Sequence, residues 1–134
     1  MVKKLDHIAI TVNNIEKTAE IFFDLFGLKM EHVETVKNQN VRVGFLPIGD
    51  TQLELVEPLK GNEQLRKYID KKGSGLHHLC FEVDDIEREM EVIEAKGGIF
   101  VDKSAREGSH QTKIAFVHPK ATGGTLVEIA QKKI

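Results

Sequence analysis

The chain has 134 residues, 40% of them hydrophobic, which suits one globular domain with a buried core. Its formal net charge of -2, with basic residues scattered among acidic ones, removes the electrostatic reason to expect nucleic acid or an anionic membrane as a partner. No apolar run reaches the about 18 residues of a membrane span, the first residues lack the apolar stretch of a secretory signal, and the single cysteine, Cys80, excludes an internal disulfide. The expectation is a cytoplasmic protein with neither a membrane nor a nucleic-acid partner.

Residues 5–12 alternate and predict a strand with Ile8, Ile10 and Val12 on the more apolar face and His7, Ala9 and Thr11 on the other. Asn13 or Asn14 then caps a helix in which Ile15, Ala19, Phe22, Phe23 and Phe26 recur at core-facing spacing, and Gly27 stops it. Strands are predicted over 28–34, 41–48 and 51–56, with a polar turn at 37–40 and a hairpin turn at Gly49-Asp50. In the last of these strands Leu53 and Leu55 share one face, and Gln52 and Glu54 the other. Residues 59–75 read as a connection containing a short helix around Leu65, Tyr68 and Ile69, ended by Gly73-Ser74-Gly75. There follow a strand over 76–83, a helix over 86–96 with Ile86, Met90 and Ile93 inward, a Gly97-Gly98 stop, and strands over 99–102, 113–118 and 125–130.

The second half repeats the first. Leu5-Asp6-His7-Ile8 and Leu76-His77-His78-Leu79 stand 71 residues apart, and the offset carries Val12 onto Val83, Ile15 onto Ile86, Glu20 onto Glu91, Gly27 onto Gly98 and Phe45 onto Phe116. The register then slips by three, so that Glu54 matches Glu128 at an offset of 74, the extra residues lying in the turn around Gly123-Gly124. The organisation is therefore α+β: a single domain, 1–134, built of two tandem βαβββ modules, 1–58 and 76–134, joined by 59–75.

The duplication places a histidine on the first strand of each module (His7, His78) and a glutamate on the last (Glu54, Glu128), all four on the face opposite the larger aliphatic side chains. If those faces curve toward each other, the four converge in a concave site. Two imidazoles and two carboxylates suit a divalent cation such as Co, Ni, Mn, Fe or Zn and leave room for water or substrate, whereas a closed structural zinc site uses cysteines more often. Such a site favours enolate chemistry, because it stabilises negative charge building on a bound oxygen. His77 faces the other way and reads as structural, His32 as a surface residue. His118 ends a strand before Pro119, and His110 lies in a polar loop that is either a substrate lid or a solvated turn.

The duplicated plan with a strand-borne His and Glu per half resembles the vicinal oxygen chelate superfamily, the glyoxalase fold. Within it, the segments Leu5-Asp6-His7-Ile8-Ala9-Ile10, Leu53-Glu54-Leu55-Val56-Glu57-Pro58, Gly75-Leu76-His77-His78-Leu79 and His118-Pro119-Lys120, with Gly124-Thr125-Leu126-Val127-Glu128, closely resemble the methylmalonyl-CoA epimerase family. The resemblance implies interconversion of (2R)- and (2S)-methylmalonyl-CoA by removal and return of the C2 proton, a divalent metal with cobalt foremost, an acyl-CoA substrate and a homodimer. It implies that His7, Glu54, His78 and Glu128 are metal ligands and that Glu128 also transfers protons; the second base is left open between Glu54, a metal-bound water and another residue. Some members place a further catalytic glutamate on the third strand, where this chain has Val43. The competing readings are glyoxalase I (lactoylglutathione lyase), which the His77-His78 and His118-Pro119-Lys120 segments disfavour, and a metal-free small-molecule-binding member of the fold, which the intact His7, Glu54, His78 and Glu128 disfavour.

Overall fold

A computed structural model describes residues 1–132. Among them run, in chain order, β1 (Val2–Thr11), α1 (Ile15–Phe26), β2 (His32–Val36), β3 (Val41–Ile48), β4 (Thr51–Pro58), α2 (Glu63–Lys72), β5 (Gly75–Val83), α3 (Ile86–Ala95), β6 (Arg106–Glu107), β7 (Thr112–Val117) and β8 (Val127–Lys132). This is the expected α+β order, each half reading βαβββ with α2 between the halves. The chain forms two compact units whose border is not the sequence repeat: one is Ile8–His77, and the other joins Met1–His7 to the chain from His78 onward.

In the unit Ile8–His77 the strands run in the order β2-β3-β4-β1. β3 and β4 form an antiparallel hairpin pairing Val41 with Pro58 and Ile48 with Thr51. Helix α1 starts where predicted. The Asn14 side chain accepts the Lys17 N–H, and Gly27, at φ 71°, closes the C-terminus in the left-handed conformation that glycine adopts without strain. Its buried positions, Ile15 and Ala19, pack with Val12, Leu46 and Leu55, and Phe22 joins from the side. The expected apolar stripe ends there. Phe23 and Phe26 are 52% and 65% exposed, because the last turn outreaches the core and Phe26 meets only the edge of Phe22 in its ring contact. The first strand also departs from expectation: His7, Ala9 and Thr11 are buried, while Ile8 and Ile10 are only partly so. Ala9 lies in a second cluster with Val36, Val41, Val43, Phe45 and Val56, so both faces of β1 are covered. β2 begins only at His32, since Leu28 and Met30 turn into the α1 cluster.

In the other unit the order is β1-β5-β8-β7-β6, with β5 and β8 parallel and β7 antiparallel to β8. Asp85 caps α3 by accepting the Arg88 N–H, and Val83, Ile86, Met90, Ala115 and Ile129 form the core beneath it. These are the repeat equivalents of Val12, Ile15, Ala19, Gly44 and Leu55. The strand predicted over 99–102 is reduced to a bridge between Phe100 and Val117, and β6 is a two-residue strand at Arg106. The ladder stops because the Asp102 carboxylate, not a backbone carbonyl, accepts the Phe116 N–H at 2.8 Å and also the Arg106 Nε–H at 2.8 Å.

One device recurs in both units. The first N–H of a helix has no partner inside that helix; Glu57 on β4 accepts that of Ile15 in α1 at 2.8 Å, and Gln131 on β8 accepts that of Ile86 in α3 at 2.9 Å. The two acceptors are 74 residues apart, the same offset as Glu54 and Glu128. Replacing Gln131 with Leu removes the acceptor and leaves the partly buried Ile86 N–H unmet. A loss of about 1–3 kcal/mol in unfolding free energy is expected in urea titrations, and an unchanged midpoint would contradict the assigned role.

Candidate functional site

β1, β5 and β8 are neighbours in that order, and their alternation brings three polar side chains to one buried place. His7 and Glu128 are each 5% exposed, and the His78 side chain is nearly as buried. Glu128 is fixed laterally by register: it stands beside Cys80 of β5 and opposite Phe116 of β7. Its Oε1 lies 3.0 Å from Nε2 of His7 and 3.0 Å from Nε2 of His78, and the two imidazole nitrogens are 3.4 Å apart. The rings meet edge to face, and the Phe116 ring packs edge to face against His78 at 5.1 Å between centroids.

The spacing fits a cation. Donors at about 2.0–2.2 Å from an ion and at right angles to each other are separated by about 2.8–3.1 Å, close to what these three atoms show. Two imidazoles and a carboxylate on adjacent corners are a known donor set for six-coordinate transition metals with open positions. Burial by itself would raise the proton affinity of Glu128, but hydrogen bonds from His7 and His78, and their charge, outweigh it and hold the carboxyl down at about 2. Glu128 is thus a carboxylate at neutral pH, the form that binds metal. Burial, with the Glu128 charge added, pushes the Cys80 thiol up, so in the metal-free chain it is a neutral thiol at neutral pH.

Behind His7, its Nδ1–H donates to Asp6 Oδ2 at 2.7 Å. Burial works against ionisation of Asp6, but His7, Lys132 and Lys4 together lower its pKa, so the acceptor is a carboxylate. Sequence reasoning missed Asp6, because strand alternation sends neighbouring side chains to opposite faces; the Asp-His dipeptide was the available signal. Phe116 was missed as well, although the repeat aligns it with Phe45.

The other candidates fall as follows. Glu54 belongs to the unit Ile8–His77, where it is buried on β4 opposite Phe45 of β3. Val43 is 4% exposed within the aliphatic cluster of that unit. His77 lies edge-on to Tyr68 at 5.0 Å, a packing role, and His32 is exposed beside Phe45. His118 accepts the Lys120 N–H and caps a 3-10 turn, and His110 is exposed with a left-handed φ of 53°.

The chain matches the family model of the Glyoxalase/Bleomycin resistance protein/Dioxygenase superfamily over residues 6–116. The uncharacterized protein YqjC of Bacillus subtilis (strain 168) is 35% identical to it over 130 residues, 97% of this chain and 93% of that one. The mitochondrial methylmalonyl-CoA epimerase of Mus musculus is 33% identical over 129 residues, 96% of this chain and 72% of the mouse protein. Among solved structures, a variant of Streptomyces coelicolor methylmalonyl-CoA epimerase in complex with 2-nitronate-propionyl-CoA superposes with a TM-score of 0.93 at 30% identity, over 98% of this chain and 96% of that one.

The depressed pKa of Glu128 has a consequence for the metal-free chain. A folded-state value of about 2, below the ordinary 4.5, means that the ionised carboxylate stabilises the fold above about pH 4.5 and that this contribution is lost as pH falls toward 2. Glu128→Gln cannot take up that proton. Thermal unfolding of chelator-treated protein should therefore show wild type losing ground against Glu128→Gln across this window, and parallel curves would refute the low pKa.

Proposed function

Since the chain belongs to the Glyoxalase/Bleomycin resistance protein/Dioxygenase superfamily, we propose that it is a methylmalonyl-CoA epimerase, interconverting the (2R) and (2S) forms by removing and returning the C2 proton through an enolate. The observation that carries the reading is the convergence of His7, His78 and Glu128 within 3.4 Å of one another in a chain that matches known epimerases along almost its whole length.

We assign His7, His78 and Glu128 as ligands of a divalent cation, cobalt foremost, with nickel, manganese and zinc as alternatives. When bound, the cation supplies Lewis-acid stabilisation of the negative charge that develops on substrate oxygens as the proton leaves. C2 lies between a thioester and a carboxylate, so charge released there spreads onto oxygens on both sides. Proton transfer needs a carrier on each face of that carbon. Glu128 is assigned one of these roles: it is ionised, its Oε1 is turned to the two imidazoles, and Oε2 is the oxygen given to the proton. Phe116 packs edge to face against His78 and helps fix its ring. Val43, held among aliphatic side chains, carries no proton. On the family resemblance, Glu54 is proposed as the fourth ligand and the working form as a homodimer; Glu54 is also proposed as the second proton carrier, and the cytoplasm as the location on the sequence reading.

Incubation of methylmalonyl-CoA in heavy water, followed by mass spectrometry, should show deuterium uptake at C2 that cobalt sustains and a chelator stops. No uptake under either condition would remove the epimerase reading. With Glu128→Gln, uptake from at least one epimer should fall by about 10²–10⁴-fold, and with Glu54→Gln from the other; full activity of either variant sinks the corresponding assignment.

A further inference from the structure

A histidine that binds a cation through one nitrogen must keep its proton on the other, and the group that accepts that proton sets which nitrogen is left to bind. At His7 the two nitrogens have different surroundings. Nε2 faces Glu128 and His78, whereas Nδ1 points at Asp6 Oδ2, 2.7 Å away. The other Asp6 oxygen is held too: Oδ1 lies 3.6 Å from Nζ of Lys132 on β8. Lys132 is in turn 3.3 Å from Glu82 on β5, and Glu82 is 3.4 Å from Lys3 on β1. Three neighbouring strands thus contribute alternating charges around Asp6, whose two oxygens face His7 and Lys132.

We propose that Asp6 is the positioning residue of the metal site, fixing the His7 proton on Nδ1 and the ring in the orientation that presents Nε2, and that Lys132 anchors Asp6 in turn. The proposal rests on the reading of His7 as a metal ligand. Asp6 touches neither cation nor substrate; it acts through His7.

The test uses the purified full chain, stripped with chelator and titrated with cobalt alone in a calorimeter, alongside nitrogen-edited NMR of the histidine rings in the zinc-loaded protein. Asp6→Ala should weaken cobalt binding by about 10–100-fold and expose the His7 Nδ1 proton to fast solvent exchange. Asp6→Asn, whose amide oxygen still accepts that proton, should recover part of both, and Lys132→Met should produce a smaller loss of the same kind. A role in folding alone would lower the melting temperature and leave the His7 ring signal and the cobalt affinity in place. If Asp6→Ala does not fold, Asp6→Asn carries the test through the ring signal. Cobalt affinity within about twofold of wild type in both Asp6 variants, with an unchanged Nδ1 proton, overturns the proposal. If wild type and His7→Ala bind cobalt equally, His7 is no ligand; that outcome fells the metal assignment and this inference with it, and is told apart from the preceding one by the His7 variant.

Discussion

Glu128 is a buried carboxylate that stays charged, and such a group costs several kcal/mol unless partners are already in place. Here they are two imidazoles, both 3.0 Å from the same oxygen. The local design follows from this demand. β8 must lie beside β5 so that His78 and Glu128 share a face, and β1 must lie beside β5 so that His7 arrives from the other side. The arrangement crowds two imidazole nitrogens, 3.4 Å apart, about one carboxylate oxygen that accepts from both. A divalent cation is a ligand whose geometry the three donors fit.

The scaffold that holds these strands is a duplication, visible down to single contacts. Val12, Ile15 and Leu55 beneath α1 become Val83, Ile86 and Ile129 beneath α3, and Glu57 becomes Gln131 at the helix start. The two copies are not equal. Where the second has Ala115, the first has Gly44, and a β-carbon built there would come within 2.7 Å of Met30 Sδ and 3.0 Å of Ile15 Cγ2; Met30 fills on one side the volume that the alanine methyl fills on the other. The first copy also leaves Phe23, Leu25 and Phe26 largely exposed at the end of its helix.

Most element types, the caps at Asn14 and Gly27, and the repeat itself were legible in the sequence, because each rests on local chemistry: a period of two or of 3.6, a side-chain acceptor at a helix start, a residue free to take positive φ. The convergence of His7 with His78 was legible for another reason, since an offset that survives across several elements exposes residues with matching positions in the two halves. The short β6 was not legible. Val101 and Ile99 have strand propensity, but propensity says nothing of an aspartate side chain at 102 that takes the next ladder position.

By itself, then, the sequence determined the order of elements, the family and the residue types available to a metal, all properties of short stretches and of their recurrence. Tertiary structure alone decided that the first seven residues leave their own module and join the chain from His78 onward, a choice made by strand pairing between segments about 70 residues apart. It alone decided which face of β1 is the buried one, since burial depends on what packs against a strand and not on which of its faces is more aliphatic. And it brought the Asp6 side chain onto His7 against the alternation rule, with Lys132 of β8 3.6 Å from its other oxygen.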